Sequence, residues 1–191
     1  VIERVDALIA QGGKYAPRWG WHDDHRAADG TPDYLPALQQ VRSEFSTFLD
    51  ALGTAGVLNG GRCLQLGLGE CEASHDVWSS LFPRGAVTID WAGFLVGGIR
   101  IAGGDTHGAE ALAFARERAP YDMLFVDAGH LLPDVTADHR DYGELVRPGG
   151  VVAFHDALER QGHNVEVWRY VRELPGVEVI GTEVGIAWVL K

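Results

Sequence analysis

Apolar residues are spaced in two different ways along this chain, and the spacing changes near residue 60. Before that point it is helical. Val1, Val5, Leu8 and Ile9 share one face of a first helix, and Leu38, Val41, Phe45, Phe48, Leu49 and Leu52 recur at intervals of three and four along a second. Pro36 falls in the first turn of the second helix, where its missing N–H is tolerated. Between the two lies GGKYAPRWGWHDDHRAADGTPD, whose glycines, prolines and charges fit no regular element and predict a long loop. From Gly61 onward short apolar runs alternate with helical ones. Strands are predicted at Arg62 to Leu66, Ala86 to Ile89, Ile99 to Ile101, Met123 to Val126 and Val151 to Phe154. The last two are apolar on both faces, as parallel strands covered by helices on both sides should be. Helices are predicted from about Glu72 to Leu81, His107 to Arg118 and Pro133 to Val146, with Pro83 and Pro120 stopping the first two. A further helix runs around Val165 to Leu174 with Asn164 as its cap, and the runs VEVI and GIAWVL are close enough to pair as a hairpin. The alternation predicts an α/β sheet, with a helical segment and loop over residues 1–60 and the sheet domain over 61–191, in one compact unit.

Composition narrows the ligand. A chain of 191 residues, 46% hydrophobic and 23% charged, fits one globular domain with a substantial core. Its formal net charge of −11 argues against a nucleic-acid partner, which would draw its affinity from clustered Lys and Arg, so small molecules are expected instead. No stretch approaches the roughly 20 apolar residues that span a bilayer, and VIERVDALIAQGG mixes charge with apolar residues, unlike a signal-peptide core. Cys63 and Cys71 do not suggest a disulfide framework. A soluble, cytoplasmic protein with no membrane partner is expected, and its N-terminal helices could cover the sheet or meet a second copy in a homo-oligomer.

The candidate chemistry lies at the strand ends. In open α/β sheets ligands bind outside the carboxyl ends of the strands. Those ends carry Gly67 and Gly69, then Asp90, then Asp105, then Asp127 and His130, then His155 and Asp156. LQLGLGE is a tight turn before a helix, where bare backbone can approach a ligand. It lacks the third glycine of the dinucleotide fingerprint, since Glu72 stands there. Asp90, about 20 residues beyond Gly67, is spaced to accept hydrogen bonds from ribose hydroxyls, and the pair points to an adenosine-containing cofactor.

CLQLGLGE, TIDW, GGDT, FVDAGH and LVRPGGVVAFHD, in that order, resemble the motifs of class I S-adenosylmethionine-dependent methyltransferases, and VGIAWVLK resembles their last strand. More narrowly, an aspartate and a histidine after the fourth strand, followed by RPGG and HD, are similar to the metal-dependent O-methyltransferases of sugar and antibiotic tailoring, including the macrolide-sugar and cephalosporin-hydroxylase-like groups. The resemblance covers roughly Gly61 to Lys191. It implies a Rossmann-like sheet, mostly parallel with an antiparallel last strand. It also implies that Gly67 and Gly69 line the methionine and ribose of the cofactor, that Asp90 binds the ribose, and that Asp105 and Thr106 lie near the adenine. Asp127 and Asp156 would hold a divalent cation such as Mg2+, with His130 as base. The chain departs from the family pattern at Gln65, where an acidic residue is usual, at Cys71, and at WAGFLVGG, which is too short for a crossover helix.

These residue types suit that chemistry on their own terms. Methylating an alcohol requires removing its proton as the oxygen attacks, and a histidine titrating near neutrality is suited to the task. Carboxylates on neighbouring strand ends suit a hard cation. Trp91 could pack on adenine or fill core, and His155 could ligate, support Asp156 or face away. Trp78, Trp168 and Trp188 are expected to pack. His22, Asp23, Asp24 and His25 read as a solvated loop, and Tyr15, Trp19 and Trp21 suggest a lid over the ligand. Two other readings stay open: a nicotinamide-dependent oxidoreductase, and a non-catalytic domain that keeps the fold as a binding or scaffolding unit.

Overall fold

Successive residues of a strand point to opposite faces of its sheet, and in this protein both faces are buried. The computed structural model describes residues 1–10, 26–35, 38–59, 61–68, 72–91, 93–96, 99–101, 104–160, 165–181 and 183–191. In chain order the elements are α1 (Ile2–Ile9), β1 (Tyr34–Leu35), β2 (Gln40–Val41), α2 (Arg42–Thr54), β3 (Cys63–Leu66), α3 (Ala73–Leu81), β4 (Ala86–Asp90), β5 (Gly93–Val96), β6 (Ile99–Ile101), α4 (Ala109–Arg116), β7 (Tyr121–Val126), α5 (Leu132–Gly143), β8 (Val146–His155), α6 (Val167–Val171), β9 (Glu178–Ile180) and β10 (Ile186–Leu190). Eight strands form the main sheet in the order β6-β5-β4-β3-β7-β8-β10-β9. Pairing is parallel from β4 through β3 and β7 to β8 and antiparallel elsewhere, so only β5 and β10 run against the rest.

Each central strand divides its side chains between two cores. Met123 and Phe125 of β7, Val151 and Ala153 of β8, and Ile186 and Trp188 of β10 join Val5 of α1, Phe45, Phe48, Leu49 and Leu52 of α2, and Val77 and Trp78 of α3. The intervening Leu124, Val126, Val152, Phe154 and Ala187 face Ala111 and Ala115 of α4, Val135 and Tyr142 of α5, and Val167 and Val171 of α6. This double burial explains why these strands read as unbroken apolar runs. The first core centres on Trp78, whose ring lies 5.5 Å from that of Phe45 and 5.2 Å from that of Phe125, joining α2, α3 and the sheet. Glu44 of α2 is buried and accepts from Glu183 N at 2.8 Å and Gly185 N at 2.9 Å, which ties the helix to the β9–β10 turn.

Several elements differ from the sequence expectation. The second helix begins at Arg42 rather than near Leu38, because Gln40 and Val41 pair antiparallel with Tyr34 and Leu35 in a small ribbon. WAGFLVGG contains β5, which reverses between β4 and β6 and replaces a crossover helix. The reversal returns β6 to the direction of β4, so Asp105 still follows a carboxyl end. The proposed lid with Tyr15, Trp19 and Trp21, the HDDH run, Pro36 and Asn164 lie outside the described residues. Among the described residues no helix is long and apolar enough to cross a membrane.

Candidate active site

The turn after β3 brings two stretches of backbone close together. Gly67 has φ +85°, and a Cβ there would stand 1.8 Å from the carbonyl oxygen of Asp127, so glycine is required on both counts. Gly67 N donates to Ile89 O at 2.9 Å and Asp127 N to Leu66 O at 2.9 Å, fixing the turn between the ends of β4 and β7. Leu68 N then donates to the buried Asp90 carboxylate at 2.9 Å. Gly67 and Asp90 are therefore joined at one edge, while Gly69 and Cys71 lie outside the described residues. Beneath the turn, Gln65 Nε2 donates to Ser74 Oγ at 2.8 Å and Gln65 Oε1 accepts from Thr88 Oγ1 at 3.3 Å. An amide can donate in this pair of contacts where a carboxylate could not, which accounts for glutamine at this position. His75 extends the chain, with Nδ1 2.9 Å from Thr88 Oγ1.

The ends of β7 and β8 bring the ionisable groups together. Asp127, His130 and Asp156 each offer one ligand atom, and these atoms lie within 4.8 Å of one another. His130 Nε2 is 3.0 Å from Asp156 Oδ2. His155 Nδ1 lies between the two carboxylates, 3.1 Å from Asp127 Oδ1 and 3.2 Å from Asp156 Oδ2. Arg160 pairs with the other Asp156 oxygen. Asp156 itself adopts φ +57°, a left-handed conformation that aspartate tolerates better than most residues. Burial alone would raise the Asp156 pKa, but His155, His130 and Arg160 together hold its carboxyl far below the usual range. His155 shows the converse balance: burial opposes its charge, yet Asp127 and Asp156 push its pKa up to about 10. The hydrogen bond to Asp156 raises His130 as well, against its partial burial. Gly129 makes the loop possible, since a Cβ there would sit 2.5 Å from the side chain of Asp134.

Asp105 and Thr106 follow β6 and are engaged differently. The Asp105 carboxylate turns back on its own loop and accepts from His107 N at 2.9 Å, while the Thr106 carbonyl accepts from the Tyr142 hydroxyl of α5. Asp138, on the same helix, is fully buried beneath this loop, with His107 Nε2 3.2 Å from one carboxylate oxygen but no well-formed hydrogen bond to either. Trp91 is 83% exposed immediately beyond Asp90, so it does not fill core. Trp78 and Trp188 are buried, whereas Trp168 is half-buried under the guanidinium groups of Arg169 and Arg172.

Sequence reading did not single out Arg160. Its only signal was the four-residue spacing from Asp156. It left His155 undecided, because a strand-end histidine can face either way, and the structure buries it between the two acids.

The comparison with known families bears on this edge. A family model described as a methyltransferase domain matches residues 69–157, the span that holds Asp90, Asp127, His130 and Asp156. Around it the fold is that of solved methyltransferases. The chain superposes on MycE, a methyltransferase from the mycinamycin biosynthetic pathway solved with Mg and SAH, with a TM-score of 0.59 and 19% identity over 98% of this chain and 54% of that one. With TomG, an O-methyltransferase from Streptomyces achromogenes involved in tomaymycin synthesis and solved with SAM, the TM-score is 0.53 and the identity 21%, over 82% of each chain. CalS11, a TDP-rhamnose 3'-O-methyltransferase of calicheamicin biosynthesis, gives 0.53 and 14% over 99% of this chain and 92% of its own. An uncharacterized protein of Sinorhizobium fredii, y4gI, is 38% identical over 61 residues, which is 32% of this chain and 7% of that protein. The chain thus spans about half the length of MycE. These likenesses show a Rossmann-like methyltransferase fold, whose last strand, β10, is antiparallel.

Proposed function

We propose that this protein transfers a methyl group from S-adenosylmethionine to a hydroxyl of a small molecule, such as a sugar or another natural-product intermediate, with help from a divalent cation. The observation that carries the reading is the meeting of Asp127, His130 and Asp156 at one point of the carboxyl edge, beside the turn that joins Gly67 to Asp90. The donor set fits a hard cation: two carboxylates on adjoining strand ends, one of them a quarter exposed. When bound, S-adenosylmethionine supplies an electrophilic methyl and leaves as a neutral thioether, while the cation supplies charge that acidifies the acceptor hydroxyl.

The chain's own residues do the rest. Asp127 and Asp156 would hold the cation. Asp156 also keeps the proton of His130 on Nε2, which leaves Nδ1 as the basic atom that takes the hydroxyl proton while the acceptor oxygen bonds to the methyl carbon. His155 and Arg160 balance the two acids and fix their directions. Gly67 and Gly69 line the methionine and ribose portion of the cofactor, Asp90 holds the ribose, and Trp91, Asp105 and Thr106 border the adenine. Residues 1–60 and the domain over 61–191 act as one unit, in keeping with the core they share. A net charge of −11 is in keeping with a small-molecule acceptor rather than a nucleic acid, and a cytoplasmic setting belongs to the same reading.

Thermal melting tests the proposal directly. S-adenosylmethionine or its demethylated product at 100 times its dissociation constant should add about 2.7 kcal/mol, visible as a raised midpoint, and NAD should add none. Chelation should abolish methyl transfer, and Asp127→Asn should remove the response to Mg2+. A midpoint raised by NAD alone, or by neither adenosyl ligand, would sink the reading.

A further inference from the structure

Helix α5 follows His130 directly, yet nothing in its own sequence caps it. The residue in the capping position is Leu131, which has no side-chain acceptor. The first four N–H groups of a helix need partners outside it. Here Pro133 has none to satisfy, and Asp134 N and Val135 N reach Leu131 O at 3.0 and 3.1 Å. The remaining donor, Leu132 N, is taken by Glu166 from across the molecule, with Oε2 at 3.1 Å. The backbone N–H of Glu166 also donates to the carbonyl of His130 at 2.8 Å. One residue thus grips the chain on both sides of Leu131, once at the histidine and once at the helix start. Arg169 holds the other oxygen of the Glu166 carboxylate at 2.6 Å, which fixes its direction. A second tie, between Tyr170 Oη and His139 Nδ1 at 2.7 Å, keeps the same segment against α5.

We infer that Glu166 is the positioning residue for His130: it clamps the 130–132 backbone so that the imidazole stays against Asp156. The inference rests on the proposed role of His130. Glu166 acts through backbone and touches neither Asp127 nor Asp156 among the described contacts, so its removal should disturb the histidine more than the fold. A carboxylate at a helix N-terminus is also favoured by the helix dipole, which makes glutamate a better clamp than a neutral residue.

The test compares the full chain with Glu166→Ala and Glu166→Gln, using 13C-labelled histidine, Mn2+ alone as the metal probe, and thermal melting. The His130 signal is assigned by its disappearance in His130→Gln. Glu166→Ala should shift or broaden the His130 signal while leaving that of His75, buried in the other core, in place. Mn2+ affinity should fall roughly 10-fold, the usual effect of losing an outer partner of a metal site. Glu166→Gln keeps an oxygen for Leu132 N and should restore most of both. An unmoved His130 signal in Glu166→Ala overturns the inference, as does an equal movement of all histidine signals, which would mark a general loss of packing. If Glu166→Ala does not fold, Arg169→Ala releases the carboxylate from its anchor and carries the same comparison. Failure of the wild type to bind Mn2+ would count against the proposed function instead, and the His130 signal would still decide the clamp.

Discussion

At Gly67 two constraints coincide, a left-handed backbone and a carbonyl oxygen where a side chain would begin. Gly67→Ala should therefore cost more than the roughly 1–2 kcal/mol of left-handed strain alone. The melting midpoint should fall by several degrees, at about 2–4 °C per kcal/mol for a chain of this size, and the response to S-adenosylmethionine should weaken. Asp138 carries a different burden. Burial raises its pKa from 3.8 to about 6, more than His107 and Thr106 lower it. Because the folded protein holds this proton more tightly than the unfolded chain, the contribution of Asp138 to stability is full at low pH, declines as pH rises from about 4 to about 6, and stays reduced above. The loss is on the order of 1–3 kcal/mol at 1.36 kcal/mol per pH unit. Asp138→Asn, which cannot ionise, should melt with the wild type near pH 4 and above it at pH 8. Equal midpoints at both values would show that the buried acid is not a burden.

Among the elements, the aromatic group around Trp78 joins α2 and α3 to the sheet, so Trp78→Ala should cost about 3–5 kcal/mol, read from denaturant melting. Elements of this kind were legible in the sequence because burial leaves a period. Phe45, Phe48, Leu49 and Leu52 mark one stripe of α2, and Met123–Val126 of β7 and Val151–Phe154 of β8 are apolar at every step because both faces are covered. The sequence showed less where pairing rather than burial decides. Val41 continues the helical spacing of α2 yet forms a strand with Gln40, since their partners Tyr34 and Leu35 lie back along the chain. The reversal at β5 depends likewise on neighbours in space. Strand-end acids were visible as breaks in apolar runs, whereas the placement of His155 between them and of Glu166 across from His130 depends on packing that no local pattern records.

On the scale of the molecule, the N-terminal helices are one wall of the first core. A chain beginning at Gly61 would lose Phe45, Phe48, Leu49 and Leu52 and leave Trp78 and Phe125 facing water. Such a fragment should show no cooperative melting transition, and a sharp transition would mean that residues 61–191 fold alone. Glu44 adds a temporal side to this dependence. Two of its hydrogen bonds reach 139 and 141 residues along the chain, to amides of the β9–β10 turn. During synthesis, α2 leaves the ribosome 139 and 141 residues before those two amides. The first core therefore closes late, loop-closure entropy must be met before these contacts repay it, and refolding should be slow for a protein of this size.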